Sequence, residues 1–458
     1  MKKLIILTIT ALVLSNALQA QIDVPVTKVK LSDTDRSILS NHMSRYITFS
    51  LDKKVLLEKL RHDGYCAFRL NIDGEHDWVV DITTNDMRTS DYKSSYTSES
   101  GIFYPDDPYI PNTYKGKTSD GKIVRLTIDD DEFWGVILDS EKHLVIRPTK
   151  DYTGNKADNS FILYAKSDVI AQNEYSDFND ALIAPDADNL SNNNISHSAT
   201  LCTYYLTVAI DADYEFYQDR GSNVTETYSY VFSVLNLIEG VYESTFNLRF
   251  IVPFQNVWTT SNDPYSSTDA HILLDQFMAE WNANRTSVSR NIAHLFTGKT
   301  LDGGMMGLAW MGQISNSYSY SLSMNRTEMF ETTAHEIGHN LNADHPSASN
   351  CLCGTATASV MCRGLKDNNL WFCQQSISEI SPFLASHSSY LTGNIPNNLT
   401  LSGTVTGFNE RQARTQITST QVINSGFTIY KSPTILLSPG FEVKSGAVFT
   451  ATPLTDCN

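Results

Sequence analysis

The chain has 458 residues with 41% hydrophobic content, enough for two or three cores when domains run to about 100–200 residues. Its net charge of -17 argues against a nucleic-acid or anionic-membrane partner, since both demand clustered Lys and Arg. Beyond the first twenty residues, no stretch approaches the roughly 18 apolar residues of a membrane span, so no transmembrane segment is expected.

Residues 1–20 read as a secretory signal peptide: basic Lys2 and Lys3, an apolar run from Leu4 to Leu14, and a small-residue exit at Ala20. The expected location is therefore extracellular, with Gln21 as the mature start. No Cys follows the apolar run to take a lipid. In an oxidising compartment the seven cysteines are disulfide candidates, and the four from Cys351 to Cys373 suggest two local staples. An odd total leaves one thiol over, and nothing assigns partners to Cys202 or Cys457.

Residues 21–198 are expected to form a β-rich domain of their own followed by a linker. Alternating segments such as Tyr65–Leu70 and Ile123–Ile128 are broken by turn clusters such as Ser119-Asp120-Gly121. The acidic run Asp129-Asp130-Asp131 reads as a solvated turn and not as a metal site. From Asp186 to Ser198 the chain is Asn-, Ser- and Asp-rich, as an exposed linker would be. No Lys or Arg occurs between Lys166 and Arg220, so a cut at this junction is expected from autolysis or from a protease without basic specificity.

Residues 199–392 read as an α/β domain. The pattern predicts strands at Tyr204–Ile210 and Leu248–Phe254 and helices at Thr225–Tyr242, Ala270–Asn282 and Ser376–Ser386. Residues 393–458 read as a small all-β module of short Thr-, Ser- and Gly-rich strands whose partner is unknown. No repeat of solenoid period is evident elsewhere.

The stretch HEIGHNLNADH carries the chemistry. His335, Glu336 and His339 form HExxH, and His345 stands at the spacing of a third ligand. Asn325 with Glu328 reads as a capping box opening the helix. One helical turn separates His335 from His339, so both imidazoles can face one ion, and Glu336 falls beside the metal without binding it. His345 reaches the site only if the helix stops and reverses, which needs positive φ near Asn342. Three neutral imidazoles leave the fourth zinc position to a water whose pKa falls towards ~7. Glu336 then takes its proton during attack on a peptide carbonyl. Met361, sixteen residues after His345, stands where a Met turn would form a floor under the ligands. His294 and His271 read as ordinary packed or surface residues.

With these residues in view, the chain resembles the metzincin clan, and within it the reprolysin (adamalysin) family. VAIDADYEFY (208–217), DAHILLDQFMAEWN, HLFTGKTLDGGMMGLAWMG (294–312), CLCGTATASVMC with WFC, and SISEISPFLAS carry the likeness across about 200 to 390. The resemblance implies an α/β (α+β) catalytic domain with a twisted mixed sheet and an active-site helix. It also implies one zinc ion on His335, His339 and His345, Glu336 as catalytic base and Met361 as the Met-turn residue. Gly307, Leu308 and Ala309, with Trp310, would form the edge strand that binds substrate, and Cys351–Cys373 and Cys353–Cys362 would be the disulfides, other pairings remaining open.

Three positions depart from the family's pattern. Asn342 replaces a Gly, Pro346 stands where an Asp often follows the third His, and Thr207 replaces a Glu that helps to hold calcium, leaving calcium doubtful. Residues 113–149 resemble the reprolysin propeptide, which implies a zymogen inhibited by its own propeptide. Cys66, the sole Cys of that region, is the candidate cysteine switch; its strand-like setting also suits a buried core thiol. The function expected is endopeptidase action on extracellular proteins or peptides. The alternative is a catalytically weak metzincin domain serving adhesion or binding.

Overall fold

The computed structural model describes residues 22–139, 142–155, 159–170, 180–185, 203–347, 359–363, 370–391 and 395–452. The expected signal peptide and linker, and Cys202, Cys351, Cys353 and Cys457, lie outside the described residues.

The N-terminal region builds a ten-stranded, almost wholly antiparallel sheet among the described residues. Tyr65–Asn71 and Ile123–Ile128 are strands of it, and the Asp129-Asp130-Asp131 run turns between Ile123–Ile128 and Phe133–Leu138. Cys66, Phe68 and Leu70 alternate into a closed core with Val80, Ile82 and Phe133, as a half-buried strand dictates. Two ten-residue helices, Asp33–His42 and Lys54–Asp63, add to the expected β-rich domain. The first is capped by Ser32, whose hydroxyl accepts from Asp35 N at 3.0 Å. The second buries Leu56, Leu57 and Leu60 at helical spacing.

Among the described residues, the α/β region forms around an eight-stranded sheet in the order 181–182, 307–310, 320–324, 292–297, 204–212, 248–258, 88–98, 101–103. Gly307–Trp310 runs antiparallel to Tyr320–Met324, while the strands from 320–324 through 88–98 are parallel neighbours. At both edges this sheet is extended by segments from the N-terminal region. Arg88–Ser98 pairs with Leu248–Trp258 on one side, and Ala181–Leu182 pairs with Gly307–Trp310 on the other. An unpaired strand edge needs hydrogen-bond partners, and N-terminal residues provide them at both ends. Ser95 and Thr97 hydroxyls also donate to Asn256 Oδ1 at 2.8 and 3.0 Å.

The helix Val224–Phe246 joins the two sheets. Asn223 caps its start by accepting from Thr225 N and Glu226 N, and Asn247 ends it at φ 52°. Its whole midsection is buried, and one apolar cluster unites Leu235 and Ile238 with Val208 and Phe250 of the eight-stranded sheet and Trp134 and Val136 of the N-terminal sheet. Glu239 is fully buried, accepting from Asn85 Nδ2 at 2.8 Å and Phe250 N at 2.9 Å, so the charge that such burial penalises is met by donors.

The C-terminal module stacks three parallel sheets of three strands. Asn398 pairs with Gln416 and Gln416 with Thr434, so about 18 residues complete one coil. Like residues stack at some positions, Leu399 on Ile417 on Ile435 and Val405 on Ile423 on Val443. Glu410 docks the module, bonding Arg249 Nη1 at 2.8 Å and Lys431 Nζ at 3.1 Å.

His294 lies at the centre of the eight-stranded sheet, fully buried, with Nδ1 2.8 Å from Ser321 Oγ. Burial pushes its pKa down to about 3, against about 6.5 in the unfolded chain. Because the unfolded state takes up a proton that the fold refuses, stability is present above pH 6.5 and is lost as pH falls below it. The urea midpoint should decline from pH 7 to 5, and His294→Gln should remove about 1–2 kcal/mol of that decline. Equal declines in both proteins would show that the folded state accommodates the proton.

Candidate metal centre

The helix Met329–Asn340 carries His335, Glu336 and His339 and is buried along its length. The expected capping box does not form. Glu328 occupies the cap position without bonding the helix, because Lys166 Nζ (3.0 Å) and the hydroxyls of Tyr152 and Tyr164 (2.8 Å each) engage its carboxylate. Lys166 and Arg147 hold that carboxyl down to about 2, against a burial that alone would raise it. Asn325 meanwhile bonds Asp219 and Arg220. Further along, Tyr242 OH donates to Ala334 O at 2.7 Å, which fixes the helix against Val224–Phe246.

The helix ends in a Schellman turn: Ala343 N donates to Gly338 O at 3.0 Å and Asn342 N to His339 O at 2.8 Å. Asn342 has φ 74°, the left-handed conformation that the reversal requires and that Asn tolerates better than most residues. The exit is held by Asp344, whose N donates to Glu379 Oε2 at 3.0 Å and whose Oδ1 accepts from His345 N at 2.7 Å. These contacts lie beside Pro346, where the family's Asp is missing.

The reversal brings His345 against the other two histidines. The Nε2 atoms of His335, His339 and His345 stand 3.0, 3.0 and 3.2 Å apart pairwise. Three buried imidazole nitrogens brought this close fit the donor set of one zinc ion, which His335, His339 and His345 would hold. Orientation comes from two carbonyls, since His335 Nδ1 lies 2.7 Å from Val360 O and His339 Nδ1 2.7 Å from Ala343 O. A carbonyl only accepts, so each Nδ1 carries the hydrogen and each Nε2 lone pair is left for a metal. His345 Nδ1 instead accepts from Arg363 Nε at 3.0 Å. Its hydrogen then sits on Nε2, and metal binding there requires this arm to shift. Burial lowers the His345 pKa and takes that of His339 down to about 4, favouring the neutral rings that metals bind.

Glu336 is buried beside the triad, and its Oε2 has no hydrogen-bond partner among the described residues. Burial and then the charge of Asp180 push its pKa well above the ordinary carboxylate range. It faces Gly307, where a Cβ would come within 2.3 Å of Glu336 Oε1, so glycine is what admits the carboxylate next to the strand Gly307-Leu308-Ala309-Trp310, whose outer side is paired with Ala181–Leu182. Met361 is fully buried, with its sulfur where a Cβ on Gly338 would lie 2.4 Å away. It therefore underlies the helix that carries the ligands, and its neighbour Val360 orients one of them.

Cys66 is not brought to this centre. It lies in the strand Tyr65–Asn71, fully buried in the N-terminal core, and burial pushes its thiol up to about 11. The group that does reach the histidines is Asp180, with Oδ1 2.8 Å from His345 Nε2 and 3.4 Å from His339 Nε2, and Oδ2 3.5 Å from His335 Nε2. The sequence signal for it was slight, an Asp leading the short apolar run Ala181-Leu182-Ile183-Ala184 just before the linker. Of the expected disulfide cysteines, Cys362 and Cys373 are buried near the Met turn; the partners assigned to them lie outside the described residues.

Residues 203–376 match the reprolysin-type model described as metallo-peptidase family M12. That stretch is a reprolysin-like metzincin domain. A zinc metalloproteinase-disintegrin-like protein of Cerberus rynchops is 26% identical over 32% of this chain and 25% of its own length. Disintegrin and metalloproteinase domain-containing protein 19 of Mus musculus is 25% identical over 43% of this chain and 22% of its own. The snake venom metalloproteinase fibrolase of Macrovipera lebetinus is 28% identical over 42% of this chain and 97% of its own. The chain thus spans about a quarter of the first two relatives and nearly all of the third.

Exchanging a helix-interior Gly for Ala ordinarily stabilises by about 1 kcal/mol. Here the Met361 sulfur reverses the sign, and Gly338→Ala should destabilise by about 1–3 kcal/mol in urea unfolding. The cost should shrink when Met361→Ala is present as well. A stabilised Gly338→Ala single variant would show that Met361 does not press on the helix.

Proposed function

We propose that the protein is a secreted zinc endopeptidase, synthesised as a zymogen, that hydrolyses peptide bonds of extracellular proteins. The observation that carries this reading is the triangle of three Nε2 atoms with a buried carboxylate beside it, facing the strand Gly307–Trp310. Two backbone carbonyls favour the metal-binding tautomers of His335 and His339, and the Glu336 oxygen without a partner among the described residues suits a group awaiting a substrate or water. Export is supported by the apolar run near the N-terminus; among the described residues no helix is long and apolar enough to cross a membrane.

A zinc ion held by His335, His339 and His345 would acidify water towards pKa ~7 and polarise the peptide carbonyl. Glu336 accepts the proton of the attacking water and returns it to the leaving amine. Gly307–Trp310 holds an extended peptide through backbone hydrogen bonds, with the N–H groups of Ala309 and Met311 as donors. Gly307 lets that peptide pass close to Glu336.

The test uses chain freed of residues preceding the protease domain, incubated with casein with and without a zinc chelator. Wild type should cleave, the chelator should stop it, and Glu336→Ala should lower kcat/KM by about 10²–10⁴-fold while retaining one zinc. Undiminished cleavage by Glu336→Ala would remove its role as base. Absence of cleavage by zinc-loaded wild type would point instead to a binding protein.

A further inference from the structure

Ala181–Leu182 is a short strand laid parallel on Gly307–Trp310, in register with Ala309 and Trp310. Ala309 N donates to Asp180 O at 3.0 Å and Met311 N to Leu182 O at 2.8 Å, so the segment uses the donors assigned above to substrate. Ala181 and Ala184 are buried, Leu182 packs into the apolar cluster that includes Trp310, and Ile183 is 71% exposed. The segment is thus a seated strand that presents one side chain, Asp180, to the centre. Among the described residues, the single group of His, Cys, Asp and Glu side chains suited to a metal comprises Asp180 and the three histidines.

We infer that Asp180 is the fourth protein ligand of the metal in the precursor, and that the strand Ala181–Leu182 locks it there as the latency device of the zymogen. The inference rests on reading the three histidines as a zinc site. Zinc accepts carboxylate oxygen as readily as imidazole nitrogen, and a site closed by four protein ligands lacks the open position that catalysis needs. Asp180 therefore displaces the water that would attack, while Ala181–Leu182 shuts out the peptide to be cleaved. A two-residue strand binds weakly by itself. Tethering in the same chain raises its effective concentration, so severing the connection releases the block without other change.

The inference separates the roles of two residues. Cys66, sealed in the N-terminal core, contributes packing, and latency passes to Asp180, a carboxylate that lies later in the chain than Cys66 and residues 113–149 and closer to the protease domain.

The test uses the full chain carrying Glu336→Ala throughout to prevent self-cleavage, alone and with Asp180→Asn or Asp180→Ala. Each is loaded with zinc, and metal transfer to a chromogenic chelator is timed; in parallel, the visible spectrum of the cobalt-loaded chain is followed during acetohydroxamate titration. The chain with Asp180 intact should transfer zinc about tenfold or more slowly than either variant and should resist hydroxamate, while both variants take it up. Equal transfer rates and equal hydroxamate uptake with one zinc bound in all three would overturn the role of Asp180 and leave the zinc site standing. Failure of all three to retain zinc would overturn the zinc site and the inference together.

Discussion

The site depends on one backbone reversal. The helix from Met329 ends where Asn342 turns left-handed at φ 74°, and without that turn His345 would continue away from the two histidines one helical turn apart. A left-handed residue without Gly carries a strain of roughly 1–2 kcal/mol. Asn342 accepts it within a complete Schellman pattern, and the Ala343 carbonyl exposed by the turn is the one that orients His339. The same few atoms thus end the helix, aim one imidazole and deliver another.

Much of this was legible in the sequence because periodicity and spacing are local. The strands at 204 and 248 and the helices at 225, 270 and 376 fall where the pattern puts them, extended by a few residues at their ends. The HExxH helix, its reversal at Asn342 and the floor formed by Met361 were readable for the same reason, since each follows from residues close in the chain. Long-range partnerships were not. Glu328 looks like half of a capping box, but its carboxylate answers Lys166, Tyr152 and Tyr164, residues far back in the chain. Arg88–Ser98 resembles any strand of its neighbourhood, and only the open edge of Leu248–Trp258 explains why it leaves one sheet for another. Asp180 carries no local pattern at all beyond a short apolar run.

The N-terminal region emerges as structural complement more than passive cover. It pairs both edges of the protease sheet, packs on the outer face of Val224–Phe246, and places Lys166 against Glu328 and Glu331 at the start of the active-site helix. A buried cation between two carboxylates is costly to break from one side. Separation of the region would therefore expose strand edges, apolar surface and two acidic side chains together.

The central claim is that three imidazoles hold a zinc ion. Zinc-edge X-ray absorption on the processed, metal-loaded protein tests it most directly. The account predicts one zinc per chain with three imidazole nitrogens and one further light atom at ~2.0–2.2 Å. A sulfur shell at ~2.3 Å, or a chain that retains no zinc, would contradict it.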